Sequence, residues 1–151
     1  MHTELRVAAY AICVSDGQLL LVRGRDDEGR PEWALPGGGM EHGEDPYDTV
    51  IRELEEETGY VVEVTGLLGV DSIRFERQRR LGTADHHALR LVYEGRVAGG
   101  ELRHEVNGSS EFTAWHPLEA VPSLRRVPLI DTALTLWRDR PAAGRVPGVV
   151  G

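Results

Sequence analysis

The stretch Gly38–Tyr60 reads GGMEHGEDPYDTVIRELEEETGY. Its second half has the marks of one helix. Asp45 is a good N-cap, Pro46 suits the first helical position, where a missing N–H costs nothing, and Gly59 suits a left-handed C-terminal position. The helix is expected from about Pro46 to Thr58. Tyr47, Val50, Ile51 and Leu54 fall on one arc of it, while Glu53, Glu56 and Glu57, at i, i+3 and i+4, fall on another. One face packs and the other gathers carboxylates. Like charges at this spacing repel, and acids in a last turn oppose the helix dipole, each at about 0.3–1 kcal/mol. Only Arg52 is adjacent to offset them. Such a local conflict is expected at a functional site, and a divalent cation turns the repulsion into ligation. The preceding Leu35-Pro36-Gly37-Gly38-Gly39 is rich enough in glycine to let backbone approach an ion or phosphate closely.

Outward from this segment the pattern alternates between strand and helix signals. Arg6–Val14 and Gln18–Arg23 are apolar, β-prone runs joined by the turn signal Ser15-Asp16-Gly17. A charged loop over 24–32 leads to a short strand at Trp33. Downstream, Val61–Val70, Ser72–Phe75, Ala88–Val97 and Glu111–Trp115 read as strands, Pro117–Ala120 as a short helical turn, and Pro128–Arg138 as a C-terminal helix. The chain of 151 residues, 40% hydrophobic, has material for one core and too little for two ordinary domains. One domain is expected over 1–140, with the Gly-, Pro- and Ala-rich 141–151 as a frayed, flexible tail.

Composition narrows the function classes. No run approaches the roughly 20 apolar residues of a membrane span, and the N-terminus lacks a basic-then-apolar leader, so a soluble, cytoplasmic protein is expected. Cys13 is the only cysteine and sits in an apolar strand pattern, which makes it a small core residue. Seventeen basic residues, all arginine, against 25 acidic ones leave a net charge of −8, which argues against polymeric nucleic acid as a partner. A phosphate-bearing small molecule is compatible with an acidic site when metal ions stand between carboxylates and phosphate oxygens.

The segment resembles the signature box of the Nudix hydrolases, MutT-like enzymes among them. That box reads glycine, five residues, glutamate, seven residues, Arg-Glu, an aliphatic, any residue, Glu-Glu, any residue, glycine and an aliphatic. Gly38, Glu44, Arg52, Glu53, Glu56, Glu57 and Gly59 fill every fixed position, and the lead-in Trp33-Ala34-Leu35-Pro36-Gly37-Gly38 is similar too. Tyr60 replaces the usual terminal aliphatic. The resemblance implies an α/β (α+β) fold, the family's α/β/α sandwich with a mixed β-sheet. It also implies hydrolysis of a pyrophosphate bond in a nucleoside diphosphate linked to another group, with Mg2+ as cofactor and Mn2+ as substitute. On this basis Glu56 and Glu57 are expected as metal ligands, helped by a backbone carbonyl at Gly37. Glu53 is expected as a further ligand or as the group that orients water. Arg52 stays protonated and is expected to hold Glu53 or Glu44, with Glu44 organising the loop. A downstream loop often supplies the general base, and Glu101, Glu105 and Glu111 are the candidates.

For substrate, Arg23 and Arg25 close a strand aimed at the glycine loop and are candidate phosphate contacts, with surface arginine the equal alternative. Arg77, Arg79 and Arg80 form a basic loop that either closes on substrate or, as is commoner for a charge run, is simply solvated. Trp33, Tyr93 and Trp115 are candidates for stacking on a base, although aromatics in a β-pattern more often pack in the core. His86 and His87 should point to opposite sheet faces and so share no metal. The proline and tyrosine that mark the ADP-ribose and dinucleoside polyphosphate branches of the family are absent. A nucleoside triphosphate, cleaved to monophosphate and pyrophosphate, is therefore the first expectation. Nucleotide sugars, ADP-ribose, or a nucleotide-sensing module without turnover are the alternatives. A homodimer is expected by likeness to the family.

Overall fold

A computed structural model describes residues 2–102 and 112–147 of the chain. Strand β1 (His2–Ile12) is its spine: it runs parallel to β7 (Gly82–Gly100) and antiparallel to β5 (Gly37–Gly39). Strand β6 (Tyr60–Arg79) adds to β7, giving the mixed order β5-β1-β7-β6. In the second sheet β3 (Gln18–Arg25) pairs with β2 (Val14–Ser15), β4 (Pro31–Ala34) and β8 (Phe112–Pro117). The chain breaks strand at Cys13, moves from β1 into β2, and turns through Asp16 (φ 52°) and Gly17 (φ 73°). Two positive-φ residues of this kind make the hairpin whose twist matches its strands.

Helices α1 (Pro46–Thr58) and α2 (Leu129–Asp139) cover opposite faces. Alternation along the strands explains this. Ala9, Ala11, Cys13 and Leu20 pack with Val50 and Leu54 of α1, while Ile12, Leu19 and Leu21 pack with Ile130, Ala133 and Leu136 of α2. The result is the expected α/β/α sandwich. Cys13 is buried in the α1-side core, and burial pushes its thiol pKa up to about 12, which fits a packing residue.

Several elements depart from their expected bounds. Val61–Val70 and Ser72–Phe75 are parts of one strand, β6, whose register shifts between Val61/Val62, Val64/Gly66 and Leu67/Gly69. Asp71 does not end it, because Arg90 lies directly opposite on β7 and pairs with the carboxylate. β7 likewise extends beyond Ala88–Val97 in both directions. The basic stretch at 77–80 is hairpin, not a loop: Arg77 and Arg79 lie in β6, and Arg79 is held by Glu4. The turn expected at Pro117–Ala120 is a 3-10 helix, Leu118–Ser123. Tyr47, placed on the packing arc of α1, is 46% exposed, while Thr49 and Thr58 are buried instead. Residues 141–147, frayed by composition, fold back so that the Val70 N–H donates to the Gly144 carbonyl (2.8 Å). Among the described residues no helix is long and apolar enough to cross a membrane.

Candidate functional site

Helix α1 begins and ends on the residues its caps dictate. The Asp45 carboxylate accepts the Tyr47 N–H (2.8 Å), and Gly59, at φ 84°, donates its N–H to the Glu55 carbonyl (3.0 Å). Val50 and Leu54 pin the helix to the sheet, which fixes the azimuth of the opposite face. That face looks onto β5, whose register with β1 places Gly38 against Ala9 and Gly37 against Tyr10.

Arg52 organises the acidic side chains. Its guanidinium donates to Glu44 through Nε (2.8 Å) and Nη2 (2.9 Å), to Glu53 (3.0 Å) and Glu56 (3.3 Å) through Nη1, and to the Gly39 carbonyl through Nη2 (3.2 Å). Glu44 also accepts the Thr49 hydroxyl (2.7 Å) and the Glu41 N–H (3.1 Å). These contacts, Arg52 foremost, lower the Glu44 pKa to about 2, and the acids in turn raise that of Arg52. Glu44 is therefore a permanently charged strut between the loop and α1. Glu57 is held separately, accepting the Gly37 N–H (2.7 Å).

Glu53 behaves differently. Burial raises its pKa, and Arg52 opposes that effect only in part. It lies against β5 so closely that a Cβ on Gly38 would stand 2.7 Å from its carboxyl carbon. The glycine at 38 is thus required by approach of the acid to the strand. Glu53, Glu56 and Glu57 line one cavity of about 270 Å3 with Gly37, Gly38 and Gly39. Among the described residues, no group of three acidic, histidine or cysteine side chains is drawn together tightly enough to ligate an ion as it stands. The donors are nonetheless all oxygen, one is desolvated, and the glycine strand leaves the space beside it open, a set that suits magnesium or manganese.

The other candidates are dispersed. Arg25 lines a second cavity of about 240 Å3, which shares Tyr10, Gly37 and Glu57 with the first. Arg23 does not reach either cavity; its guanidinium lies over the rings of Trp33 (5.8 Å) and Phe112 (5.2 Å). Trp33 packs edge-on against His116, Trp115 donates to the Tyr60 hydroxyl, and Tyr93 is buried in the α1-side core. His86 meets Glu4 and His87 meets Ser72, on opposite faces as expected. Glu101 is exposed just beyond β7, and Glu105 and Glu111 lie outside the described residues. Two lining residues, Arg6 and Tyr10, were not expected from the sequence. Their signal was available: they are the large polar side chains, four apart on one strand face, in an otherwise apolar β1 segment.

Residues 3–137 match the model of the NUDIX domain. Over 103 residues the chain is 36% identical to an ADP-ribose pyrophosphatase of Methanocaldococcus jannaschii, covering 68% of this chain and 57% of that protein. Over 110 residues it is 39% identical to a putative mutator protein MutT4 of Mycobacterium tuberculosis, covering 72% of this chain and 42% of the relative. The chain thus spans about half the length of these curated relatives. A solved NUDIX hydrolase from Nitrosomonas europaea superposes with a TM-score of 0.75 at 22% identity, covering 96% of this chain and 94% of that one, which is a likeness of fold.

Proposed function

The chain belongs to the NUDIX family, and from that membership we propose that it is a metal-dependent pyrophosphohydrolase acting on a nucleoside diphosphate linked to another group. The observation that carries the reading is the convergence of Glu53, Glu56 and Glu57 on one cavity floored by a glycine strand. Phosphoryl and nucleotidyl transfer demands little covalent work from a protein; it demands neutralised charge and oriented oxygens. Glu56 and Glu57, with a carbonyl at Gly37, would hold the Mg2+ or Mn2+ ion, and Glu53 would complete the set or orient the attacking water. An ion bound there supplies charge neutralisation for the phosphate oxygens and the leaving group. Arg52 and Glu44 are positioning residues: they fix α1 against the loop and keep Glu53 and Glu56 from splaying apart.

Water adds to phosphorus, the bridging P–O bond breaks, and for a nucleoside triphosphate the products are the monophosphate and pyrophosphate. This is the first reading of the substrate. A second, ADP-ribose, is favoured by the name of the Methanocaldococcus jannaschii relative. The test is Mg2+-dependent turnover of a panel holding canonical and oxidised triphosphates, ADP-ribose, nucleotide sugars and dinucleoside polyphosphates, with Glu56→Gln and Glu57→Gln alongside. Turnover of one class should fall by roughly a hundredfold or more in each variant and vanish with chelator. Tight nucleotide binding with no turnover of any class would replace the hydrolase with a sensing module.

A further inference from the structure

We infer that Arg6 is a specificity-determining residue, holding a phosphate beyond the diphosphate so that the groove favours nucleoside triphosphates over compounds whose second phosphate carries a neutral sugar. This rests on the hydrolase reading and extends it to the choice of substrate.

The two cavities at the site share Tyr10, Gly37 and Glu57 and so form one groove. At one end, Val22, Leu35 and Val127 give it an apolar wall, with Arg25 and Glu32 at the rim. At the other end stand Glu53, Glu56 and Arg6. Arg6 and Tyr10 lie four residues apart on the same face of β1, a span of about 13 Å at strand rise. β5 runs antiparallel beside them, with Gly37 opposite Tyr10, while Arg6 lies over Gly39: a Cβ built there would stand 3.1 Å from its Nη2. The sequence of features along the groove is therefore apolar wall, carboxylates, guanidinium. A nucleoside on the apolar wall places its diphosphate at the carboxylates, and the next group reaches Arg6. In a triphosphate that group is an anion; in ADP-ribose it is an uncharged ribose.

The state of Arg6 supports this. Its guanidinium makes no hydrogen bond or ion pair with any described residue, although it shares a cavity with three glutamates. Arg52 already takes Glu44, Glu53 and Glu56. A guanidinium left over beside an acidic cavity, in a fork that matches phosphate oxygens, has an external anion as its natural partner.

The experiment is calorimetric titration of the full chain, in excess Mg2+, with inorganic tripolyphosphate and pyrophosphate, probes that need no knowledge of the base. Wild type should bind tripolyphosphate more tightly. Arg6→Ala should lose about tenfold on tripolyphosphate and less than about twofold on pyrophosphate, with Arg6→Lys between them. Because Arg6 is exposed and unpaired, the melting temperature of the variant should match wild type, which separates a binding effect from misfolding. Equal loss on both probes, loss on neither, or no tripolyphosphate binding by wild type overturns the inference. The hydrolase reading is judged apart, by the turnover panel: an Arg6-dependent preference without turnover would sink that reading, and with it the claim on substrate choice, and leave Arg6 as a phosphate-binding residue alone.

Discussion

Two ionic clusters flank β1, and they are built on opposite plans. In one, a single guanidinium, Arg52, is shared among Glu44, Glu53 and Glu56, with Glu57 close by on the same cavity. In the other, a single carboxylate, Glu4, is shared between Arg79 and His86. Both tie distant segments together, yet in the first the carboxylates outnumber the guanidinium that joins them. The Glu4 cluster is complete within the chain, and burial of His86 against Phe75 closes it off. The Arg52 cluster instead faces an open cavity. Surplus like charge with fixed geometry marks a place where something from outside is wanted, whereas a balanced pair of similar appearance marks scaffolding.

The contrast can be broken most decisively at Gly38. Gly38→Ala drives a methyl into Glu53 and displaces an acid that the reading needs in place, so kcat should fall by about a hundredfold while the fold survives. Unchanged turnover, measured beside circular dichroism of the variant, would show that the position of Glu53 is not used. Arg52→Met should lower the melting temperature of the metal-free protein by on the order of 5 °C, since it releases Glu44, Glu53 and Glu56 at once. Saturating Mn2+ should then stabilise the variant more than it stabilises wild type, because the ion replaces the missing cation. Equal Mn2+ shifts in the two proteins would mean the cluster does not need an ion to balance it.

The smallest effect belongs to the balanced cluster. Arg79 first, and His86 second, lower the Glu4 pKa from 4.5 to about 2. A depressed folded-state value gives stability that is fully present above the ordinary value and is lost as pH falls from about 4.5 toward 2. Glu4→Gln should therefore soften the acid side of the melting profile by a few degrees and leave pH 7 turnover untouched. Parallel acid profiles in the two proteins would remove Glu4 from the list of stabilising pairs.

Legibility in the sequence followed the range of the interactions. Helix α1 was readable to its last residue because Asp45, Pro46 and Gly59 specify its ends locally, and the box residues were readable because their spacing lies within that helix and its loop. β6 was divided at Asp71, a residue that reads as a break, and only pairing with β7, where Arg90 holds that carboxylate, shows the strand to be continuous. Arg79 looked free until Glu4, 75 positions away, came to meet it. Arg6 and Tyr10 stand out locally as the large polar positions of β1, but only the register with β5 shows that they face the site. Arg23 pointed at phosphate by its place on the strand, but the aromatic rings of Trp33 and Phe112 claim its guanidinium.

The closing turn of the described chain has a bearing on how copies of this protein meet. A sheet grows where an outer strand offers a straight run of unused amides and carbonyls, and β6 is the outer strand on its side. There the carbonyl of Gly144 has taken the Val70 amide, and Gly144 presses so near Gly69 that a methyl on Gly69 would meet its carbonyl oxygen at 2.4 Å. The three register shifts between Val61 and Gly69 kink the same rim. At the far rim, β5 is three glycines long. A newcomer therefore finds an interrupted ladder at Val61–Val70 and a very short one at β5, so backbone zippering, the route by which sheets grow into fibres, is hindered along those rims.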